Sequence, residues 1–323
     1  MTIFKTVALG IGLTLGATAA YAEYPEKDIR IIVPWGAGGG TDGIVRKLAT
    51  IAEQEIGASM YVENIEGGIS ATGVSQLMGA EPDGYTIGVL TYDSVVTVPW
   101  QNLVPDYSLD RLNLIARVTS EPDALIVSTD SDYKTIEDVL ADAKERPGKV
   151  IIGIQNIGSR LHLAALQLQE ETGTEFKLIA YPGGAAAQKE AMLNGEVQIV
   201  STSLGDFSSL LDDDKAMGVV EFTDAQNLTY TSVPTAAAKG LDLRMGSFIV
   251  VAAPAGVPED VAQKVEGAFQ TALESDEFQS WVSKIGVTPN WLGTAEVTDW
   301  TNATAEAIYR DLDKLVEDGV ISK

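Results

Sequence analysis

Four glycines in five positions, Gly36, Gly38, Gly39 and Gly40, run directly into Thr41 and Asp42. The apolar run 29–33, then Pro34 and Trp35, precede them, and a helical pattern follows. Glycine lets the backbone turn tightly and approach a ligand with no Cβ in the way. Thr41 or Asp42 can cap the helix. A helix start offers unpaired N–H groups and a partial positive charge, which suits an anion. The segment reads as strand, anion-accepting turn, helix. Similar turns recur at Gly158-Ser159-Arg160 and at Tyr181-Pro182-Gly183-Gly184-Ala185. Arg160 is the only basic residue in these loops; it is either a solvated first-turn side chain or the partner of a carboxylate. Ser159 reads as an N-cap, and a cap at a cleft can also face a ligand. His162, the only histidine, lies three residues on and shares its helix face. A Ser–His pair would suit a secreted hydrolase. The chain has no G-x-S-x-G elbow, so His162 reads as structural.

Gly38, Gly40 and Gly43 also spell G-x-G-x-x-G, and Glu63 ends the next strand where a dinucleotide fold places its ribose acid. That alternative is an exported oxidoreductase. Pro34 and Trp35 weigh against it, because the fingerprint follows its strand directly. So does the start of the chain. Lys5, the apolar stretch 7–15 and Ala20-Tyr21-Ala22 read as a signal peptide over residues 1–22, cleaved after Ala22. The mature protein is expected outside the cytoplasm.

The absence of cysteine rules out disulfides, thiolate metal sites and a Cys nucleophile. One histidine and no clustered carboxylate spacing give no metal site and no cofactor. The formal net charge of −24 argues against nucleic acid, which needs clustered Lys and Arg. The same charge opposes any anionic ligand, so attraction must come from local groups: helix N-termini, backbone amides and a few placed side chains.

Those groups need a scaffold. β-rich runs at 85–90, 150–154, 177–180 and 196–200 each end in small polar residues, and most lead into a helix. Alternating strands and helices indicate an α/β fold with mainly parallel sheets, and ligands bind beyond the carboxyl ends of the strands. The runs 125–128 and 248–253 read as strands that leave a first sheet and return to it. The expectation is two lobes: residues 23–122 plus 245–323, and residues 123–244, with the ligand cleft between them. Asp212-Asp213-Asp214 reads as solvated surface.

Tyr24-Pro25 with residues 29–42, Val62-Glu63-Asn64 with Gly67, Gly68 and Gly73, Pro82-Asp83-Gly84-Tyr85-Thr86, Gly158-Ser159 with His162-Leu163, Tyr181 to Ala185, and the stretch 253–258 occur in order. They resemble the motifs of the TctC-like or Bug family, the substrate-binding proteins of tripartite tricarboxylate transporters. Trp35 stands where that family usually has Phe, Ile65-Glu66 where it has Arg-Pro, Pro182 for Lys, Thr202 for Asp and Val250 for Gly. The resemblance implies a two-lobed periplasmic binding protein of type II-like architecture that closes on a small organic carboxylate. It implies a receptor rather than an enzyme, monomeric, docking transiently on membrane transporter subunits. Ligands in the family are held mostly by backbone amides and ordered water. The expected ligand-binding residues are Trp35, as a ring wall, Gly38, Gly39, Gly40, Thr41, Asp42, Thr91, Tyr92, Gly158, Ser159, Arg160, Tyr181, Gly183, Gly184, Ala185, Thr202 and Ser203.

Overall fold

The computed structural model describes residues 24–317 and 319; the expected signal peptide lies outside the described residues. In β1 (Ile29–Val33), Ile29, Ile31 and Val33 belong to one apolar layer and Ile32 to another, the period of a strand buried on both faces. α1 (Gly40–Ile56) covers the first layer with Ile44, Val45, Leu48, Ala49, Ala52 and Ile56, one stripe at helical spacing. Gly57, at φ 82°, stops the helix by donating its N–H to Glu53 O. Each fully buried large side chain contributes about 1.5–3 kcal/mol, so Leu48→Ala would cost roughly 2–5 kcal/mol with its cavity.

β2 (Met60–Asn64), α2 (Ala71–Met78) and β3 (Thr86–Leu90) follow, then a wide helical turn at Asp93–Thr97 that runs into α3 (Val98–Trp100). β4 (Leu112–Ser128) is 17 residues long. Beyond it come α4 (Ile136–Glu145), β5 (Ile151–Ile154), α5 (Arg160–Thr172), β6 (Lys177–Ala180) and α6 (Ala185–Leu193). β7 (Ile199–Ser203), α7 (Ser208–Asp212) and β8 (Ala216–Glu221) lead to β9 (Gly246–Pro254). α8 (Glu259–Glu274), α9 (Asp276–Ile285), β10 (Thr288–Leu292) and α10 (Thr294–Glu317) complete the described chain.

The strands run β2-β1-β3-β9-β4-β7-β5-β6, with β10 and β8 also paired to β4. The two ends of this order are parallel, β1 with β2 and β3, and β5 with β6 and β7. The centre is antiparallel, because β4 and β9 run against their neighbours. β4 therefore serves both halves of the sheet. Its residues Leu112 to Pro122 pair with β9, and Asp123 to Val127 pair with β7. The change falls at Pro122, which has no N–H to donate to a ladder. Asp123 N–H then bonds Met245 O at 2.8 Å, just before β9 begins. The expected strand 125–128 is thus the far end of β4. Each half has apolar clusters on both faces: Leu125 and Val127 face one in the second half, Ala124 and Ile126 the other.

Candidate functional site

The loops that follow β1, β5, β6 and β7 converge between the two halves. They bound an inner chamber of about 40 Å³. Trp35, Gly39, Gly40, Thr41, Thr91, Arg160, Gly183, Gly184, Ala185 and Ser203 line it, all expected from the sequence. Five further residues join them: Gly36, Glu121, Gln155, Asp206 and Ser247. Past Trp35, Gly36, Gly183 and Gly184 the chamber opens into a wider mouth of about 330 Å³ bordered by Glu66, Gly67, Gly68 and Pro182.

Two helix starts face this space. No backbone or side-chain acceptor within the described chain takes the N–H of Thr41 at the head of α1, or those of Gly183, Gly184 and Ala185 at the head of α6. Gly183 and Gly184 have φ of 109° and 75°. Side chains rarely adopt that backbone, so glycine is what lets these amides point into the chamber. Trp35 stands at the junction of chamber and mouth, its indole N–H donating to Thr91 Oγ1 at 3.1 Å.

The remaining expected residues take other positions. Gly38 donates its N–H to Asp42 Oδ2 at 2.9 Å, so this pair braces the turn from behind. Burial pushes Asp42 up, but hydrogen bonds from Arg46, Gly38 and Asn64 outweigh it and hold the carboxyl below its usual range. Tyr92 is buried against Phe248, with ring centroids 6.4 Å apart. Ser159 donates its hydroxyl to Asn156 O at 2.7 Å. Gly158 N–H donates to His162 Nδ1 at 3.0 Å, which fixes the imidazole as an acceptor. Ser159 and His162 therefore serve their own loop, not a nucleophile and base. The Tyr181 ring packs over Gly153. Thr202 is fully buried within β7, which extends to Ser203 because it pairs with β4 as far as Asp123. Glu63, the candidate ribose acid, is held by Arg30 at 2.8 Å.

Arg160 is neither solvated nor free. Its guanidinium is bidentate on the fully buried Asp123, at 2.6 and 2.7 Å, and its backbone N–H donates to Asp93 Oδ1 at 3.0 Å. Burial opposes the charge, but Asp123 and Asp93 outweigh it and raise the pKa of Arg160. The one cation lining the chamber is already neutralised.

Carboxylates are what sequence reasoning missed. Glu121 lines the chamber at 8% exposure, with Oε1 accepting the Thr119 hydroxyl at 3.0 Å. Burial first, then the charge of Asp206, pushes its pKa up to about 7. Asp206, from the second half, accepts the N–H of Gly40 from the first at 3.0 Å, a direct tie across the cleft. Two more ties lie nearby, Arg160 to Asp93 and Gln101 Nε2 to Gly158 O at 3.1 Å. A signal existed for Glu121: the apolar run of β4 is interrupted by Ser120-Glu121-Pro122-Asp123.

A separate cavity of about 300 Å³ lies behind the crossing strands, lined largely by Phe222, Phe248, Met245, Leu163 and Ile308. It has neither glycine turn nor helix start. Among the described residues no helix is long and apolar enough to cross a membrane.

A model of the tripartite tricarboxylate transporter family receptor matches residues 44–308. A Cupriavidus necator protein described as UPF0065 protein in gbd 5'region is 26% identical over 310 residues, covering 96% of this chain and 94% of its own. A solved structure described as a periplasmic transporter is similar at a TM-score of 0.85 and 26% identity, covering 90% of this chain and 97% of the other. The R. palustris protein Rpa4515, solved with adipate, shares the fold at a TM-score of 0.82 and 22% identity, covering 90% and 98%. The family match takes in both halves of the sheet and every turn of the cleft except the first, and by it the chain belongs to the tripartite tricarboxylate transporter receptors, a family of periplasmic substrate-binding proteins.

Proposed function

We propose that this receptor captures a small organic solute bearing a carboxylate and presents it to the membrane subunits of its transporter. The observation that carries the reading is the pair of opposed helix starts with unengaged N–H groups, at Thr41 and at Gly183 to Ala185, around one chamber. Each charge-assisted hydrogen bond to such a group is worth roughly 1.5–3 kcal/mol. The adipate in Rpa4515 supports the ligand class. The chamber residues named above are the binding residues on this reading. The two halves of the sheet act as lobes, residues 23–122 with 245–323 and residues 123–244, hinged where β4 and β9 cross. A solute gripped by both lobes favours the closed form, and only that form completes the docking surface for the membrane partner. The protein acts as a monomer without a cofactor, performs no catalysis, and reaches the periplasm through residues 1–22, removed after Ala22.

A thermal-shift screen against organic acids tests this. A true ligand at 100 times its Kd adds about 2.7 kcal/mol of stability. Gly184→Val puts a branched side chain where φ is 75° and should abolish the shift while the circular dichroism spectrum is kept. An unchanged shift in that variant, or no stabilisation by any acid, would sink the reading.

A further inference from the structure

We propose that the inner chamber is an ammonium subsite, formed by Glu121 and Asp206, so that the solute carries a protonated amine as well as a carboxylate. The inference rests on the receptor reading and narrows its ligand to amino-carboxylates.

Glu121 is nine-tenths buried and lines the chamber. Thr119 satisfies Oε1, whereas Oε2 takes no hydrogen bond from any described residue. Oε2 is not sealed away from the chamber, so a donor on a bound solute can reach it. Asp206 faces the same chamber from the other half of the sheet, anchored by Gly40 N–H and, at 3.3 Å, by the Thr202 hydroxyl. The two carboxyl groups lie close enough for the charge of Asp206 to disfavour ionisation of Glu121. Arg160 gives only partial relief: its charge favours the ionised Glu121, but both arms of its fork are spent on Asp123.

A solute with only carboxylates would add like charge to this pair. An ammonium group does the opposite. It has three donors and no acceptor, and beside the main-chain N–H groups the chamber offers it the acceptors Glu121, Asp206 and the hydroxyls of Ser203 and Ser247. The chamber of about 40 Å³ has room for an ammonium group, since one water needs about 10–15 Å³ of such space. The carboxylate end then lies outward, where the chamber meets the mouth and the amides of Gly183 and Gly184 are free. Division of labour follows: main-chain N–H groups hold the anion, and two side chains hold the cation.

Matched pairs of probes test this by calorimetry: L-glutamate with glutarate, 4-aminobutyrate with butyrate, and L-alanine with propionate. The expected result is that at least one amino-carboxylate binds ten-fold or more tighter than its partner lacking the amine. Glu121→Gln keeps the Thr119 bond and the volume, and should erase that preference. Asp206→Asn, at a less buried position, should do the same and stands as the second variant. Tighter or equal binding of the amine-free acids to the native protein overturns the subsite and leaves the carboxylate receptor standing. A preference that survives both substitutions also overturns it. Binding of no probe, with or without an amine and in a wider acid panel, removes both readings together.

Discussion

The Asp123–Arg160 pair predicts an asymmetry between losing one partner and losing both. Asp123 is fully buried, and Arg160 is 6% exposed. Asp123→Asn would retain an oxygen for one of the two bonds at 2.6 and 2.7 Å but remove the charge that faces the guanidinium. Breaking a buried pair in this way costs roughly 3–5 kcal/mol, because a desolvated charge is left behind. Asp93, whose carboxyl lies on the Arg160 backbone N–H, softens the loss and places the expectation near 3 kcal/mol. In urea, with a slope near 3 kcal/mol/M, that is a fall of about 1 M in the unfolding midpoint. Replacing both partners, Asp123→Leu with Arg160→Met, removes the desolvation penalty together with the attraction. Such exchanges are often neutral or stabilising. The double variant should therefore unfold within about 1 kcal/mol of the native protein. A single substitution that costs less than about 1 kcal/mol, or a double variant weaker than the single one, would refute the reasoning.

Stability should also fall as pH rises from about 5 to 8. Burial pushes Glu121 and Glu221 up to about 7, against about 4.5 in the unfolded chain, so between those values the folded state holds the extra protons. Glu121 alone accounts for a loss on the order of 3 kcal/mol, and Glu121→Gln should flatten the slope of urea midpoints against pH; an equal slope in the variant contradicts this. At the crossing, a Cβ on Gly246 would lie 2.5 Å from Glu121 O and 2.9 Å from Pro122 Cα. Gly246→Val should destabilise by about 3 kcal/mol or more, and a wild-type melting curve would show that the strands there are not packed as described. Gly40→Ala would put a Cβ 2.3 Å from Asp206 Oδ1, so the carboxylate must swing away and the cross-cleft bond is lost. Small-angle scattering should then give a larger radius of gyration than the native protein; identical profiles argue that this bond does not hold the halves together. Trp35→Phe should abolish most of the fluorescence change on ligand binding yet keep most of the affinity, since the indole lines the chamber but spends its N–H on Thr91. A full signal in that variant assigns the change to another tryptophan.

The parts of the site read from the sequence are those whose chemistry is local. The glycine turn into α1 and the start of α6 announce themselves within a few residues, because backbone permissiveness and capping are properties of short segments. α6 begins at Ala185, directly after the Gly183-Gly184 pair. The parts that were not legible depend on partners far along the chain. Arg160 shows a charge in the sequence, but its neutralisation by Asp123, 37 positions earlier, is set by where β4 places that residue. Thr202 reads as loop because nothing local reveals that β7 stays paired as far as Ser203. β4 itself reads as only its last four residues, since the polar break at Glu121 resembles the end of a strand. In three dimensions that break marks an exchange of partners and supplies the acid of the chamber.

Where β4 and β9 cross, Pro122 stands opposite Gly246, one residue with no donor beside another with no side chain. The connection here is a two-stranded ribbon, which on the receptor reading would act as a leaf spring. Bending out of its own plane would cost little, but sliding within the plane would break the ladder that begins with Gly246 opposite Pro122. The receptor reading then allows one easy direction of travel. On that reading, solutes of different shape should change how long the jaws stay shut far more than the form they take when shut. On the same reading a membrane partner that recognises this form would need no knowledge of the cargo, and selectivity would rest on the residues that line the chamber and its mouth.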